Sequence, residues 1–351
     1  MIPVVATPPG PTDGRALDVP GGFVWWYVDL VDAHGDGLVL IASFGLPFLP
    51  GLLDAARRGA PVPPRERPAL SLAVYIGGKI AFYLFDVPVS SSFSSTATAD
   101  TIVLGGSTVD VAWEGDRFTL VASLDTDGAG ERITGNVRVS GRSAPSLGGD
   151  PVAHAWSLLC GAGEGAATLR TSTGTMSLAG RAYVDRNLGE RPIDALGMTA
   201  WTWARVAFPG GDLVVWDVDG ASPLRLAVWA TPDGRRDAFC PALVRGGSRL
   251  ALGASAPRLL DVDGRWRLQL GAPLESSPFY ARFPVIGTDA AGQTGRGFAE
   301  RCLPQRIDAA WMRPLVRMCV QQPRERSRWL PLFAGPAEGR LGRLVRSWRS
   351  P

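Results

Sequence analysis

The stretch FVWWYVDLVDAHGDGLVLIASF, residues 23–44, decides the fold that the sequence predicts. It consists of two apolar runs, FVWWYVDLV and LVLIASF, separated by an Asp- and Gly-rich segment typical of a tight turn. Valine and aromatic residues are frequent in both runs, and such residues favour extended backbone. His34 falls in the turn, so we interpret it as an exposed turn residue. The stretch therefore predicts an antiparallel hairpin whose strands carry large side chains.

Similar short runs recur along the whole chain, and 43 glycines and 29 prolines among 351 residues suit a protein with many tight turns. A looser segment, RSAPSLGGDP, divides them into two series. The pattern predicts an all-β protein with two lipocalin-like antiparallel β-barrel domains and a short C-terminal helical tail. The predicted boundaries are a flexible lead-in at 1–20, an N-terminal barrel at 21–150, a C-terminal barrel at 151–290 and a basic helical tail at 291–351.

The net charge of +3 is too small for a nucleic-acid-binding surface, and no nucleic-acid partner is expected. The basic residues concentrate at one end, because residues 301–351 contain eleven arginines against Asp308, Glu325 and Glu338. This segment also carries Trp311, Trp329 and Trp348. It predicts either peripheral contact with an anionic membrane surface or a solvated helix packed on the body of the protein.

The cysteines show no metal-binding spacing, which favours buried, reduced thiols in a cytoplasmic protein. They are Cys160, Cys240, Cys302 and Cys319. The chain does not begin with a basic stretch followed by an apolar core, so no signal peptide is expected. The longest uncharged run, residues 37–53, contains two prolines and is too short to span a bilayer.

The motifs of several common chemistries are missing from the sequence. Only two histidines are present, which argues against a histidine metal centre, and there is no G-x-S-x-G motif or dinucleotide fingerprint. Any chemistry is therefore expected to be acid–base chemistry without a metal or other cofactor.

Two pairs of residues have the spacing that places them together on a strand. His154 and Trp156 are two apart in HAW, and Tyr183 and Asp185 are two apart in YVD. Side chains at i and i+2 project from the same face of a strand. An inward carboxyl among aromatic rings would be kept protonated by burial and could donate a proton. Trp156, Trp201, Trp203, Trp25, Trp26 and Tyr27 would supply aromatic faces that stabilise a cation.

Each of these residues also has a purely structural interpretation. Tryptophans that alternate in strands commonly belong to a core. Asp185 could cap a turn, or Arg186 or Arg191 could neutralise it and leave it ionised.

A resemblance favours the functional interpretation. The segments GGFVWWYVDLV, HAW, GRAYVDRNLGERP, AWTWARVAF, SPFYARF and GFAERCLPQRIDAAWMRPLVRM resemble, in this order, the carotenoid 1,2-hydratase (hydroxyneurosporene synthase) family. The similarity covers most of the chain, and the H-x-W and Y-x-D pairs are its most specific parts. It implies a lipocalin-like protein at the bacterial inner membrane that adds water to the terminal double bond of an acyclic carotenoid without a cofactor.

Carried over by position, the resemblance implies that Asp185 is the acid and that His154, Tyr183 and Trp156 complete the catalytic site. The expected substrate-binding residues are Trp25, Trp26, Tyr27, Asn187, Trp201, Trp203, Tyr280 and Arg282. The sequence departs from the family pattern at Arg186 and Leu188, where a histidine and an aromatic residue are expected. Arg186 would lower the pKa of Asp185 unless it points to the other face, as strand alternation predicts.

The expected partners are a hydrophobic polyene or terpenoid and water. Two alternatives stay open: a proton-initiated terpene cyclase or pericyclase on the same scaffold, and a carrier that holds a lipid without reacting with it.

Overall fold

The computed structural model describes residues 5–7, 9–128, 131–143, 154–171, 174–251, 254–309, 318–322 and 325–330. Within these ranges the protein is almost entirely β-structure, in one sheet of 14 strands and one of 10. Both sheets are antiparallel apart from two short parallel pairings in the first. Each sheet is an open path of strands that curls into a half-barrel. The predicted all-β class is confirmed.

The first part of the chain forms most of the first sheet, and the part that follows forms the second sheet. The first sheet begins with β1 (Val5–Ala6), β2 (Phe23–Val31), β3 (Gly37–Phe44), β4 (Pro68–Ile76), β5 (Lys79–Asp86), β6 (Ser91–Ser95), β7 (Ala99–Leu104), β8 (Ser107–Glu114), β9 (Arg117–Gly128), β10 (Glu131–Arg142), β11 (His154–Thr171) and β12 (Gly174–Gly189). The second contains β13 (Met198–Phe208), β14 (Gly211–Gly220), β15 (Leu224–Ala230), β16 (Arg236–Phe239), β17 (Leu243–Ala251), β18 (Ala254–Val262), β19 (Trp266–Leu270), β20 (Glu275–Ser276), β21 (Tyr280–Asp289) and β22 (Thr294–Cys302). The hairpin β23 (Met318–Gln322) and β24 (Glu325–Leu330) extends the first sheet beside β5.

Among the described residues, helical structure is limited to short segments. The helix α1 (Leu52–Arg57) lies between β3 and β4. The 3-10 turns are Gly14–Asp18, Pro64–Glu66, Ile193–Leu196 and Pro304–Arg306.

The strand order determines where the chain passes from one sheet to the other. In the first sheet β12 lies between β2 and β11, and β11 continues to β10. Apart from the late hairpin β23–β24, the chain passes from the first sheet to the second between Gly189 and Met198. The boundary predicted at residue 150 does not coincide with this point. The cause is that β11 and β12, although they follow the loose segment, pair with β10 and β2 of the first series.

Three apolar cores result from this arrangement. One fills the first half-barrel, one fills the second, and the third lies between the two sheets. Strand β2 contributes to two of them, because Trp26 and Val28 face the first half-barrel whereas Tyr27 and Trp25 face the space between the sheets. This double burial explains why the opening hairpin has so few polar side chains.

The N-terminal segment is packed against the sheet, which does not fit its interpretation as a flexible lead-in. β1 pairs with β11, and Leu17 is completely buried. The carbonyl of Gly10 and the hydroxyl of Thr12 accept hydrogen bonds from Arg186.

The described parts of the predicted helical tail are mainly strands. Residues 294–302 form β22, the central neighbour of β13 and β21, and the hairpin β23–β24 follows further on. The other parts of the tail, 310–317, 323–324 and 331–351, lie outside the described residues, and with them Trp311 and Trp348.

None of the helices in the described ranges has the length and apolarity to cross a membrane. Cys160 and Cys302 are buried thiols, as expected, whereas Cys240 is exposed.

Candidate active site

The predicted site residues come together where β2, β12 and β11 face the second sheet. Asp185 lies opposite Tyr27 of β2 on one side and Leu158 of β11 on the other. Trp156 lies opposite Asn187 in the same register. Since alternate side chains of a strand share a face, the HAW and YVD motifs project together, as the sequence predicts.

Three side chains donate hydrogen bonds to the Asp185 carboxyl group, which is only 3% exposed. Tyr183 Oη and Trp156 Nε1 both donate to Oδ2, at 2.6 and 2.8 Å. Asn187 Nδ2 donates to Oδ1 at 2.8 Å. Each carboxyl oxygen has two lone pairs, so Oδ1 retains one position that can carry a proton.

Burial raises the pKa of Asp185 to about 7. The hydrogen bonds from Tyr183 and Trp156 favour the ionised form and oppose this rise, while the charges of Glu300 and Asp29 add to it. A carboxyl group with this pKa is protonated in a substantial fraction of molecules at neutral pH, which general acid catalysis requires.

His154 is a neutral ring held in one orientation. Its burial lowers the pKa to about 4, and its Nε2 lies 2.8 Å from Asn187 Oδ1. Because Asn187 uses its amide nitrogen on Asp185, its oxygen accepts from His154, which places the hydrogen on Nε2. His154 Nδ1 has no hydrogen-bond partner among the described residues.

Arg186 projects to the opposite face from Asp185, as strand alternation predicts. Its guanidinium binds the N-terminal segment and lies 3.8 Å from Asp100. In the described ranges no arginine or lysine bonds to Asp185. The carboxyl group is therefore neither exposed to solvent, nor paired with a cation, nor part of a turn.

Asp185 borders a cavity of about 30 Å³ between the two sheets. The cavity wall consists of Asp185, Asn187, Trp25, Tyr27, Trp201, Trp203, Trp216 and Glu300. A second cavity, of about 40 Å³, has four of these residues in its wall: Trp25, Tyr27, Trp201 and Glu300. It also contacts Glu275, Tyr280, Arg282 and several apolar side chains, which include Phe48 and Phe85.

Both cavities follow a row of residues that crosses the strands. In the first sheet the register joins Asp185, Tyr27, Ile41, Ser71 and Phe85. In the second sheet it joins Trp216, Trp203, Glu300, Arg282 and Glu275. The first row crosses four strand intervals, about 19 Å at a spacing of about 4.8 Å. The two cavities therefore lie along one line perpendicular to the strands, with Asp185 at one end of it.

The structure separates the predicted binding residues into three groups. Trp25, Tyr27, Asn187, Trp201 and Trp203 border the cavity beside Asp185. Tyr280 and Arg282 border only the second cavity. Trp26 is wrongly assigned to the site, because it projects into the first half-barrel and packs on Phe93.

Sequence reasoning misses Trp216, Glu300 and Glu275. A signal exists for Glu300, since Phe298, Glu300 and Cys302 alternate in GFAERC and therefore share one face of β22. Trp216 alternates in the same way within LVVWDVD.

In the part of the chain that the structure describes, no group of three or more histidine, cysteine or acidic residues lies together as metal ligands do.

The fold and the site together define the class of the protein: it is a lipocalin-like β protein with an acid in an aromatic interior. The sequence profile of the family described as carotenoid hydratase CrtC matches residues 55–330. The chain belongs to this family. It is therefore an enzyme of the hydratase type.

Individual proteins extend the comparison. The chain is 29% identical over 317 residues to the acyclic carotenoid 1,2-hydratase of Thiocapsa roseopersicina, which covers 83% of this chain and 72% of that protein. It is 29% identical over 292 residues to the acyclic carotenoid 1,2-hydratase of Rubrivivax gelatinosus, with coverage of 76% and 65%. The crystal structure of CghA superposes with a TM-score of 0.58 at 15% identity, over 88% of this chain and 96% of that chain. The last likeness concerns the fold alone.

Proposed function

We propose that the protein hydrates the terminal double bond of an acyclic carotenoid or related terpenoid, with Asp185 as the proton donor. One observation carries the proposal: a carboxyl group 3% exposed, with its pKa raised to about 7, borders a cavity whose walls are largely aromatic. Membership of the carotenoid hydratase family supports the same reaction.

The reaction needs two steps. The O–H bond of Asp185 breaks as a C–H bond forms at the CH carbon of the terminal isoprene unit, which leaves a tertiary cation at the dimethyl carbon. The faces of Trp203, Trp216 and Tyr27, all in the cavity wall, stabilise that cation. A water oxygen then forms the C–O bond and releases one proton. Water therefore restores the proton that Asp185 gives, and neither step calls for a cofactor.

Asp185→Asn tests the proposal, because asparagine keeps the shape and size of the side chain but cannot donate an acidic proton. With lycopene as substrate, formation of the hydroxy product should fall at least about 100-fold, the usual contribution of a general acid. Product is measured by liquid chromatography and mass spectrometry. Asp237→Asn, at an exposed position on β16, is the matched control. Full conversion of lycopene by Asp185→Asn would show that Asp185 is not the proton donor.

Cyclisation is the second candidate, favoured by the three tryptophans in the wall of the smaller cavity that could fold around an internal alkene: Trp201, Trp203 and Trp216. Product mass separates the two, since hydration adds one water and cyclisation leaves the mass unchanged. A passive carrier would return its lipid unaltered with either residue at position 185.

The proposal includes peripheral contact with an anionic membrane surface through the arginine-rich segment 301–351, where a carotenoid would be dissolved. The eleven arginines of this segment support it. Sedimentation with anionic vesicles at low and high salt tests this contact.

A further inference from the structure

The walls of the two interior cavities contain buried polar atoms to which no described residue bonds. Tyr27 Oη, Trp203 Nε1, Trp216 Nε1 and Glu275 Oε2 are buried, and none of the four has a hydrogen-bond partner among the described residues. Each belongs to a residue in the wall of one cavity or of both. Buried polar atoms are nearly always satisfied by protein or by ordered water. The position of these four atoms therefore indicates bound water.

The volumes of the cavities agree with this interpretation. They are about 30 and 40 Å³. A water molecule needs about 10–15 Å³ of such space and two to four polar partners. The smaller cavity therefore has room for about two or three molecules and the larger for about three or four. Several polar groups are within the walls, which distinguishes these cavities from dry, apolar ones.

A second polar cluster lies beyond the tryptophans, at the far end of the row in the second sheet. Arg282, 3% exposed, donates from Nη1 to Glu275 Oε1 at 2.8 Å, and it donates from Nη2 to Glu300 Oε1 at 2.9 Å. Tyr75, from the first sheet, bonds to both Arg282 and Glu275. The cluster fixes Arg282 between two acids and leaves Glu275 Oε2 unpaired.

Glu300 connects this cluster with the acid. It is the only carboxylate of the described residues that borders both cavities, that of Asp185 and that of Glu275. In the cross-strand row it lies between Trp203 and Arg282. Both Nε and Nη2 of Arg282 donate to its Oε1, which keeps the carboxylate in place.

We infer that Glu275 and Glu300 hold the water that becomes the hydroxyl group of the product, and that Glu300 accepts its proton. The inference rests on the proposed hydration. The water oxygen forms a C–O bond to the tertiary cation as one of its O–H bonds breaks, and the proton passes to the Glu300 carboxylate and from there to solvent. Asp185 takes a proton back from solvent before the next turnover, so the two hydrogens of one water are added overall. His154 and Tyr183 are less suited to this task, because neither borders one of the two cavities and Tyr183 donates its hydrogen to Asp185.

Deuterium oxide provides the test. Protonation by Asp185 in D₂O places a deuteron on the CH carbon, after which the cation either takes water to give the alcohol or loses a proton to give a deuterated alkene. The readout is the ratio of deuterated alkene to alcohol by mass spectrometry. Glu300→Gln should raise this ratio about tenfold or more, because the cation still forms but its capture lacks a proton acceptor. Glu275→Gln should raise it about threefold or more by weakening the hold on water.

The outcomes separate the two proposals. If the wild-type protein gives neither alcohol nor deuterated alkene, the hydration proposal itself fails. If Glu300→Gln and Glu275→Gln lower both products equally and leave the ratio unchanged, hydration stands and the water-binding role is wrong. Should Glu300→Gln fail to fold, as judged by circular dichroism, Glu275→Gln alone decides by the same ratio. Glu114→Gln, at an exposed position on β8, is the control and should match the wild-type ratio.

Discussion

Asp185 shows how position rather than residue type gives a side chain its chemistry. Three donors would make an exposed carboxyl group a stronger acid, yet burial outweighs them and the pKa rises to about 7. Arg186, its chain neighbour, has its charge directed toward Thr12 and Asp100 on the other face of the strand. A shift of one residue in the register would exchange the two faces and place the arginine in the aromatic cavity.

The raised pKa predicts a pH dependence for hydration. Only the protonated form of Asp185 donates, so kcat/KM should be level at low pH and fall about tenfold per pH unit above the pKa of about 7. Tyr183→Phe removes a hydrogen bond that favours the ionised form, so its profile should fall at higher pH than that of the wild type. The measurement is kcat/KM from pH 5 to 9 for both proteins. A rate that rises with pH through 7 would contradict the assignment of Asp185 as the acid.

At this scale the sequence predicts the cluster of His154, Trp156, Tyr183 and Asp185, because alternation on a strand is a local rule. It does not predict that Asn187 bridges the ring of His154 and the acid, or that Glu300 faces Asp185. These contacts depend on which strands become neighbours in the sheets, and the spacing of residues within one strand does not determine strand pairing.

At the scale of an element, β2 serves two cores at once. Trp26 belongs to the first half-barrel and is completely buried, whereas Trp25 is partly exposed and borders both interior cavities. Of these two adjacent tryptophans, Trp26 therefore belongs to the core of the first half-barrel and Trp25 to the walls of the cavities.

This difference predicts that substitution of Trp26 mainly lowers stability, whereas substitution of Trp25 mainly lowers activity. Trp26→Ala should lower the free energy of unfolding by about 3–5 kcal/mol, the usual cost of removing a buried aromatic side chain. Trp25→Ala should have a smaller effect on unfolding but lower kcat/KM about tenfold, because it removes an aromatic ring that borders both cavities. Urea denaturation and steady-state kinetics measure the two effects. Equal losses of stability would contradict the assignment of the two faces.

Strands and hairpins of this kind are predictable, because their signals are contiguous in sequence. The opening hairpin has the predicted limits within a residue or two. The pairing of β12 with β2 joins residues 150 to 166 positions apart in sequence, and no turn or local spacing predicts it. For the same reason the predicted division at residue 150 differs from the one between the sheets.

At the scale of the whole molecule, a buried ion cluster joins the two sheets beside the site. Arg205 of β13 is completely buried and donates to Asp29 of β2 at 2.8 Å. It also donates to Asp212 of β14 from Nε, at 2.9 Å. One guanidinium thus compensates carboxylates from both half-barrels.

Arg205→Met is therefore expected to lower the free energy of unfolding by about 3–5 kcal/mol, because it leaves buried acids without their cation. Arg132→Met is the control, since Arg132 pairs with Asp125 on the surface and its loss should change stability little. Chemical denaturation of both variants and the wild type gives the comparison. An unchanged unfolding midpoint for Arg205→Met would show that the ion cluster makes no net contribution to stability.

The small volume of the interior has a kinetic consequence. Spaces of about 30 and 40 Å³ admit water but not the end of a branched hydrocarbon. Aromatic rings from both sheets must separate before a polyene can reach the carboxyl group, and they must close again behind it. Each turnover would then include this rearrangement and the transfer of substrate out of lipid or detergent. Observed rates would consequently vary with the dispersing agent as well as with pH, so proteins are compared in one dispersing agent.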